Sequence, residues 1–221
     1  MKKHSILYYL YPFLVVCIPW IYLAVIWNEL PATIPTHFGL SGQPDHYGPK
    51  SDIFTGPAII SVMSILLYFL LMNIYRLDPK KYSAATAAVL QKIAHIMPLF
   101  FSLLGLLVLY WTVKKKTDGM NLLMTAVGLL LAYVGNLMHS IKPNYFAGFR
   151  LPWTLENEEN WRKTHQLASK IWFAGGIFLA LISLLLPILA LMIVFFCCIF
   201  VMVLIPAVYS YRLYRDSKKS I

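Results

Sequence analysis

The chain has 221 residues, of which 59% are apolar and 13% charged, with a mean hydropathy of +0.67. Soluble domains run at about 45–50% apolar and about 25% charged, so these values exclude an ordinary cytosolic enzyme, a disordered chain and a secreted disulfide scaffold. The net charge of +10 comes from 19 Lys+Arg against 9 Asp+Glu. The basic residues mostly flank apolar runs, where they set membrane topology, and they imply no direct nucleic-acid partner. Cys17, Cys197 and Cys198 lie inside apolar runs and show neither metal nor disulfide spacing.

Six apolar runs qualify as spans: Ser5–Trp27, Pro57–Tyr75, Ile93–Val113, Met120–Ile141, Ser169–Ile188 and Leu189–Tyr211. Pro187 is the natural break between the last two, since proline cannot continue a helix without losing a backbone hydrogen bond. The first run follows Lys2 and Lys3, but it is too long for a cleaved signal and no small-x-small site follows. The pattern predicts an all-α polytopic transmembrane helical bundle whose first partner is the lipid bilayer.

With the amino terminus inside, 15 of the 19 Lys+Arg fall on the cytoplasmic side: Lys2, Lys3, Arg76, Lys80, Lys81, Lys92, Lys142, Arg150, Arg162, Lys163, Lys170, Arg212, Arg215, Lys218 and Lys219. Lys50 and Lys114–Lys116 fall outside. The bias predicts that both termini are cytoplasmic.

Two connectors are too long to be simple links. The external one, Asn28–Gly56, contains a β-favouring stretch at Ile34–Phe38, and Pro35 bars that stretch from a sheet interior. Ser41-Gly42 and Gln43-Pro44-Asp45 are turn signals, so a compact external hairpin is expected between spans one and two. Its chemically loaded residues are Glu29, His37, Asp45 and His46. Imidazole and carboxylate are zinc-ligand types, but the spacing fits no H-x-x-x-H or H-E-x-x-H pattern. His37, Asp45 and His46 are weak metal candidates on that ground, and a pairing of His37 with Asp45 that holds the hairpin is the bland alternative.

The cytoplasmic connector is Lys142–Ala168. Pro143 ends span four, Asn144 and Gly148 suit turns, and Thr154 can cap a new helix with Glu156, Glu158 and Glu159 in its first turns. That helix carries Trp161, Arg162, His165 and Lys170 straight into span five, with Trp153 and Trp161 at headgroup level. Lys142, Asn144 and Arg150 are candidate anion donors, opposed by the three glutamates; Arg150 could instead pair with one of them. Asn73, His95, Asn121, Asn136 and His139 lie in or at the ends of spans, but no Asp or Glu does. A carboxylate proton relay and an intramembrane aspartyl protease are therefore not expected, and no catalytic residue or cofactor is assigned.

Two stretches carry a family resemblance. One is Leu30-Pro-Ala-Thr-Ile-Pro-Thr-His-Phe-Gly-Leu-Ser-Gly-Gln-Pro-Asp45 with Tyr47-Gly-Pro-Lys50, which resembles the signature of a small bacterial membrane domain. The other is Ile141-Lys-Pro-Asn-Tyr-Phe-Ala-Gly-Phe-Arg150, then Leu-Pro-Trp-Thr-Leu155 and Glu159-Asn-Trp-Arg-Lys-Thr-His165. It resembles the SdpI family, named for immunity to the sporulation-delaying protein toxin.

The resemblance implies a multi-pass protein of the bacterial inner membrane that protects its cell from a secreted, membrane-active peptide toxin. It also implies a receptor that can hold an ArsR-type winged-helix repressor at the membrane. The external motif (His37, Phe38, Pro44, Asp45, Tyr47) becomes the toxin candidate. The cytoplasmic motif (Lys142, Asn144, Arg150, Trp153, Thr154, Trp161, Arg162, His165) becomes the candidate for a partner or anion. Two domains are expected, 1–80 with spans one and two and loop 28–56, and 81–221 with the remaining spans and loop 142–168. The alternative is a small-molecule or lipid-handling transporter, or a membrane enzyme, using Lys142, Asn144, Arg150 and His165.

Overall fold

The computed structural model describes residues 6–39, 43–74, 84–115 and 119–219. The Ser41-Gly42 turn, Lys2, Lys3, Arg76, Lys80, Lys81, Lys116 and the junction between residues 80 and 81 lie outside the described residues. The described residues hold 6 helices long and apolar enough to cross a membrane. These are α1 (Ile6–Ile26), α2 (Thr55–Asn73), α3 (Ala84–Lys114), α4 (Met120–Met138), α6 (Glu158–Ile182) and α7 (Ile188–Lys219); α5 (Pro152–Glu156) is a short extra turn. Strands β1 (Thr33–Phe38) and β2 (Pro44–Pro49) form an antiparallel pair. Large apolar side chains such as Ile21, Leu66 and Phe200 point outward, a surface suited to lipid rather than water.

Several element ends differ from the apolar runs, each for a local reason. Helix α3 begins at Ala84 rather than Ile93 because the Ala-rich start has high helix propensity without being a strong apolar run. Helix α4 stops at Met138, where Ser140 and Ile141 donate to Leu137 and Met138 carbonyls in a tightened last turn ahead of Pro143. Helix α6 starts at Glu158 and runs without interruption into the apolar segment, as expected, but stops at Ile182, and α7 restarts directly after Pro187. At the expected Gln43-Pro44-Asp45 turn, Pro44 and Asp45 instead begin β2, and Gly39 N–H donates to Gln43 C=O at 2.9 Å. In a two-stranded sheet every strand is an edge, so Pro35 and Pro44 find positions that need no N–H.

The chain divides into two compact units that interleave in sequence: Met1–Leu71 with Ala94–Met120, and Met72–Ile93 with Asn121–Ile221. In the first, Leu23 and Ile26 of α1 meet Leu30, Ile34, Ile53 and Leu109 in a buried cluster that seats the hairpin on the helices. Pro12 lies inside α1 and cannot donate to the Tyr8 carbonyl one turn back. The Tyr68 hydroxyl of α2 donates to that carbonyl at 2.8 Å. Trp20 Nε1 donates to Ser61 Oγ at 3.0 Å, a second tie between α1 and α2.

The second unit is built on a seam of small residues. Gly128, Ala132 and Gly135 of α4 lie against Gly176, Ala180 and the Trp172–Phe173 backbone of α6, the close approach that small residues permit between membrane helices. Val89, Leu137, Met138, Ile141, Trp161 and Ala168 fill the adjoining core. Helix α7 repeats the proline logic of α1. Pro206 leaves the Met202 carbonyl without its helical donor, and Trp172 Nε1 of α6 donates to it at 3.0 Å. Trp172→Phe is therefore expected to lower stability by about 1–3 kcal/mol, the cost of a stranded buried acceptor, read as a lower unfolding midpoint in detergent micelles. Pro206→Ala restores a backbone donor to Met202, so the double variant should recover part of that loss. Simple addition of the two effects would contradict the assignment.

Candidate functional site

The hairpin owes its chemistry to its irregular register. Thr33 pairs with Pro49, Ile34 with Gly48 and Pro35 with Tyr47, but then His37 pairs with His46 and Phe38 with Pro44. Thr36 is the extra residue on β1, and Asp45 is the extra residue on β2. A bulge of this kind breaks the strict up-and-down alternation of side chains. It lets the neighbours Asp45 and His46 both turn toward His37. The His37 Nδ1 atom lies 2.6 Å from Asp45 Oδ1, and His46 Nδ1 lies 3.5 Å from the same oxygen. The two imidazole rings meet edge to face at 6.1 Å.

The hydrogen bond from His37 holds the Asp45 carboxyl below the usual carboxylate range, with a smaller contribution from His46 in the same direction. All three groups are open to solvent, with side-chain exposures of 66%, 45% and 78% for His37, Asp45 and His46. The pairing of His37 with Asp45 is thus present in the structure. Tyr47 is exposed on the same hairpin, and Phe38 and Pro44 are half-buried. Beside the hairpin lies a cleft of about 540 Å³ lined by His37, Phe38, Asp52, Gly56, Trp111 and Thr112 among others. Lys50 sits 4.2 Å over the Trp27 ring at the hairpin's base, a cation–π contact.

The loop between α4 and α6 is organised from inside. Asn144, only 1% exposed, donates to the carbonyls of Lys142 (2.8 Å) and Ala147 (3.1 Å). Its side-chain oxygen accepts from the N–H of Phe146 (2.8 Å) and Ala147 (2.7 Å). Those four bonds use both donors and both lone pairs of the amide. His165 is also buried. Its Nε2 accepts from Phe149 N–H at 3.0 Å, so its Nδ1 carries the proton and donates to the Trp161 carbonyl at 2.8 Å. Trp161 stacks on that imidazole with centroids 4.1 Å apart and donates from Nε1 to Ile141 C=O at 2.8 Å.

Gly148 explains why the motif carries glycine next to Phe149. Its φ of +110° is a conformation that L side chains rarely adopt, and a Cβ there would run into the His165 ring. Thr154 does not cap the helix bearing Glu158 and Glu159. It sits in the first turn of α5, where its hydroxyl accepts from Leu151 N–H at 3.0 Å and donates to Phe149 C=O at 2.6 Å. The cap of α6 is Asn157, whose side chain accepts from Asn160 N–H at 2.9 Å. Arg150 turns to the Tyr145 carbonyl rather than to a glutamate, and Glu159 pairs with Lys163 at 2.8 Å.

Of the motif side chains, Asn144, Thr154, Trp161 and His165 are thus built into the loop's interior, whereas Lys142, Arg150 and Arg162 are exposed. Lys142, Trp161 and Arg162 join His139, Glu158 and Glu159 around a cleft of about 370 Å³, a rim of mixed charge. Trp153 is half-buried, donates to Ser210 Oγ at 3.1 Å and stacks on Tyr214 at 5.6 Å, which ties α5 to α7. Sequence reading missed Ser210, Asn157 and Thr86, whose hydroxyl accepts from Lys142 N–H at 2.9 Å. Ser210 and Tyr211, at the end of the sixth predicted span, were the signal available for the first.

Both motifs coincide with known families. Residues 140–210, which contain this loop, α6 and most of α7, match the SdpI/YfhL protein family. The chain carries an SdpI-family segment. Residues 14–60, which contain the hairpin, match a domain of unknown function (DUF1648). Over 183 residues the chain is 25% identical to the immunity protein SdpI of Bacillus subtilis (strain 168), covering 83% of this chain and 82% of that one. An uncharacterized protein of Archaeoglobus fulgidus is 36% identical over 62 residues, which is 25% of this chain and 34% of that one. No solved structure matches the chain. The 6 span-length helices and this kinship together make it a multi-pass cell-membrane protein.

Proposed function

We propose that this chain is an immunity protein of the SdpI family that protects its bacterial cell from a secreted, membrane-active peptide toxin. The observation that carries the reading is the similarity to the Bacillus subtilis immunity protein over 83% of the chain. Charge bias supports an orientation with both termini in the cytoplasm, which puts the β1–β2 hairpin outside, where a secreted peptide arrives. Exposed Tyr47 and the His37–Asp45–His46 cluster would then be met first, beside the apolar cleft under the hairpin. The motif loop, with exposed Lys142, Arg150 and Arg162 beside Glu158 and Glu159, would face the cytoplasm and offer a surface of mixed charge to an ArsR-type repressor. The division into an N-terminal domain to residue 80 and an SdpI-like domain from residue 81 belongs to the same proposal.

The alternative, a transporter or membrane enzyme built on Lys142, Asn144, Arg150 and His165, has less support. The polar atoms of Asn144 and His165 are committed to the loop's own backbone, so only the two cations remain for a substrate. The test of the proposed face is a photo-crosslinking residue at Tyr47 or at Arg162 in intact cells, with a labelled sporulation-delaying-type peptide added outside. Crosslinking at 47 and none at 162 is expected. The reverse pattern would contradict the orientation and the toxin face together.

A further inference from the structure

We propose that His37, Asp45 and His46 form a site for one zinc-class divalent cation, which clamps β1 to β2. Three features of the hairpin support it. The ligand atoms of the three residues all lie within 4.8 Å of one another. Both imidazoles aim Nδ1 at one carboxylate oxygen, at 2.6 and 3.5 Å. The bulge at Asp45 is what places consecutive residues 45 and 46 on one side of the strand.

Zinc bonds of about 2.0–2.2 Å in tetrahedral geometry place neighbouring ligand atoms roughly 3.3–3.5 Å apart. The Asp45–His46 separation is already in that range, at 3.5 Å. The His37–Asp45 contact must open by roughly 1 Å to reach it, a small rotation for side chains this exposed. On binding, each Nδ1 donates its lone pair to the metal and the imidazole proton resides on Nε2. Two imidazoles and one carboxylate favour zinc or copper over magnesium or calcium, which prefer all-oxygen sets. The fourth position faces solvent and is left for water or an incoming group. The inference does not rest on the toxin reading, because binding is measured without toxin.

The experiment uses the full, untagged chain in detergent micelles, stripped with EDTA, dialysed and titrated with zinc chloride in a calorimeter. One zinc per chain is expected. His37→Gln and His46→Gln should each weaken binding by at least about tenfold, while His139→Gln and magnesium chloride serve as silent controls. Copper-loaded wild type, read by pulsed electron paramagnetic resonance, should show two imidazole nitrogens, which keeps the test valid if a variant misfolds. A wild type that takes up no zinc, a His37→Gln/His46→Gln double variant with wild-type affinity, or a copper signal without imidazole coupling would each overturn the proposal.

Discussion

Asn144→Ala is expected to cost on the order of 2–6 kcal/mol, as two or more part-buried backbone groups lose their partner at about 1–3 kcal/mol each. One amide organises the turn at residues 142–147 through four hydrogen bonds to Lys142, Phe146 and Ala147, and alanine removes all of them. The effect should spread. Phe149 reaches His165, and Trp161 stacks on His165, so a loosened turn should also change the environment of Trp161. Unfolding midpoints in micelles and tryptophan emission would both report it. Asn144→Asp should be nearly as damaging, since it keeps the acceptor but sets a carboxylate against two carbonyls. A loss below about 0.5 kcal/mol for Asn144→Ala would show that the loop is held by something else.

Gly176→Val should separate α4 from α6. A Cβ at Gly176 would stand 2.6 Å from the Gly128 carbonyl oxygen, and one at Gly128 would stand 2.6 Å from Ala180 N. Both obstacles are backbone, so neither can rotate away and the helices themselves must part. Overpacking of this kind costs about 1–3 kcal/mol per added group where neighbours can yield, and valine at a backbone contact should exceed that range. Gly175 provides the control. Its Cβ would also meet an atom at 2.6 Å, but that atom is Met202 Sδ, the flexible end of a side chain. Gly175→Ala should therefore be mild and Gly176→Ala severe, although the two glycines are adjacent. Equal midpoints for the two variants would contradict the seam.

The membrane architecture was legible because lipid imposes one rule on every span: about 20 apolar residues with all backbone groups satisfied within the helix. The break at Pro187 and the strand from Ile34 to Phe38 followed from proline chemistry and β-branching in the same direct way. Less legible were features decided by competition between neighbours. Thr154 and Asn157 are both cap residues, and Pro152, pre-set for a first helical turn, started α5 early enough to leave the cap of α6 to Asn157. Pro44 read as a turn residue, yet an edge strand accepts it equally well.

The candidate site divides in the same manner. Sequence motifs located His37, Asp45 and His46, but only the bulged register explains why residues 45 and 46 converge on residue 37. The partners of the proline-freed carbonyls, Tyr68 for Tyr8 and Trp172 for Met202, are distant in the chain and carry no local signal. Asn144 and His165 look like binding residues by type. Their burial, and the saturation of their polar atoms by nearby backbone, appear only once the loop is folded around them.

Survival of a toxin-sensitive bacterium expressing this chain, challenged with sporulation-delaying-type peptide, tests the immunity reading most directly. Membrane expression would be matched by blot across wild type, His37→Ala and Asn144→Ala. Wild type should raise the tolerated peptide concentration at least tenfold over the empty vector, with a factor of ten corresponding to about 1.4 kcal/mol in an equilibrium it controls. His37→Ala should lose protection while reaching the membrane at wild-type levels, and Asn144→Ala should lose protection together with stability. Well-expressed wild type that protects no better than the empty vector would contradict the immunity reading.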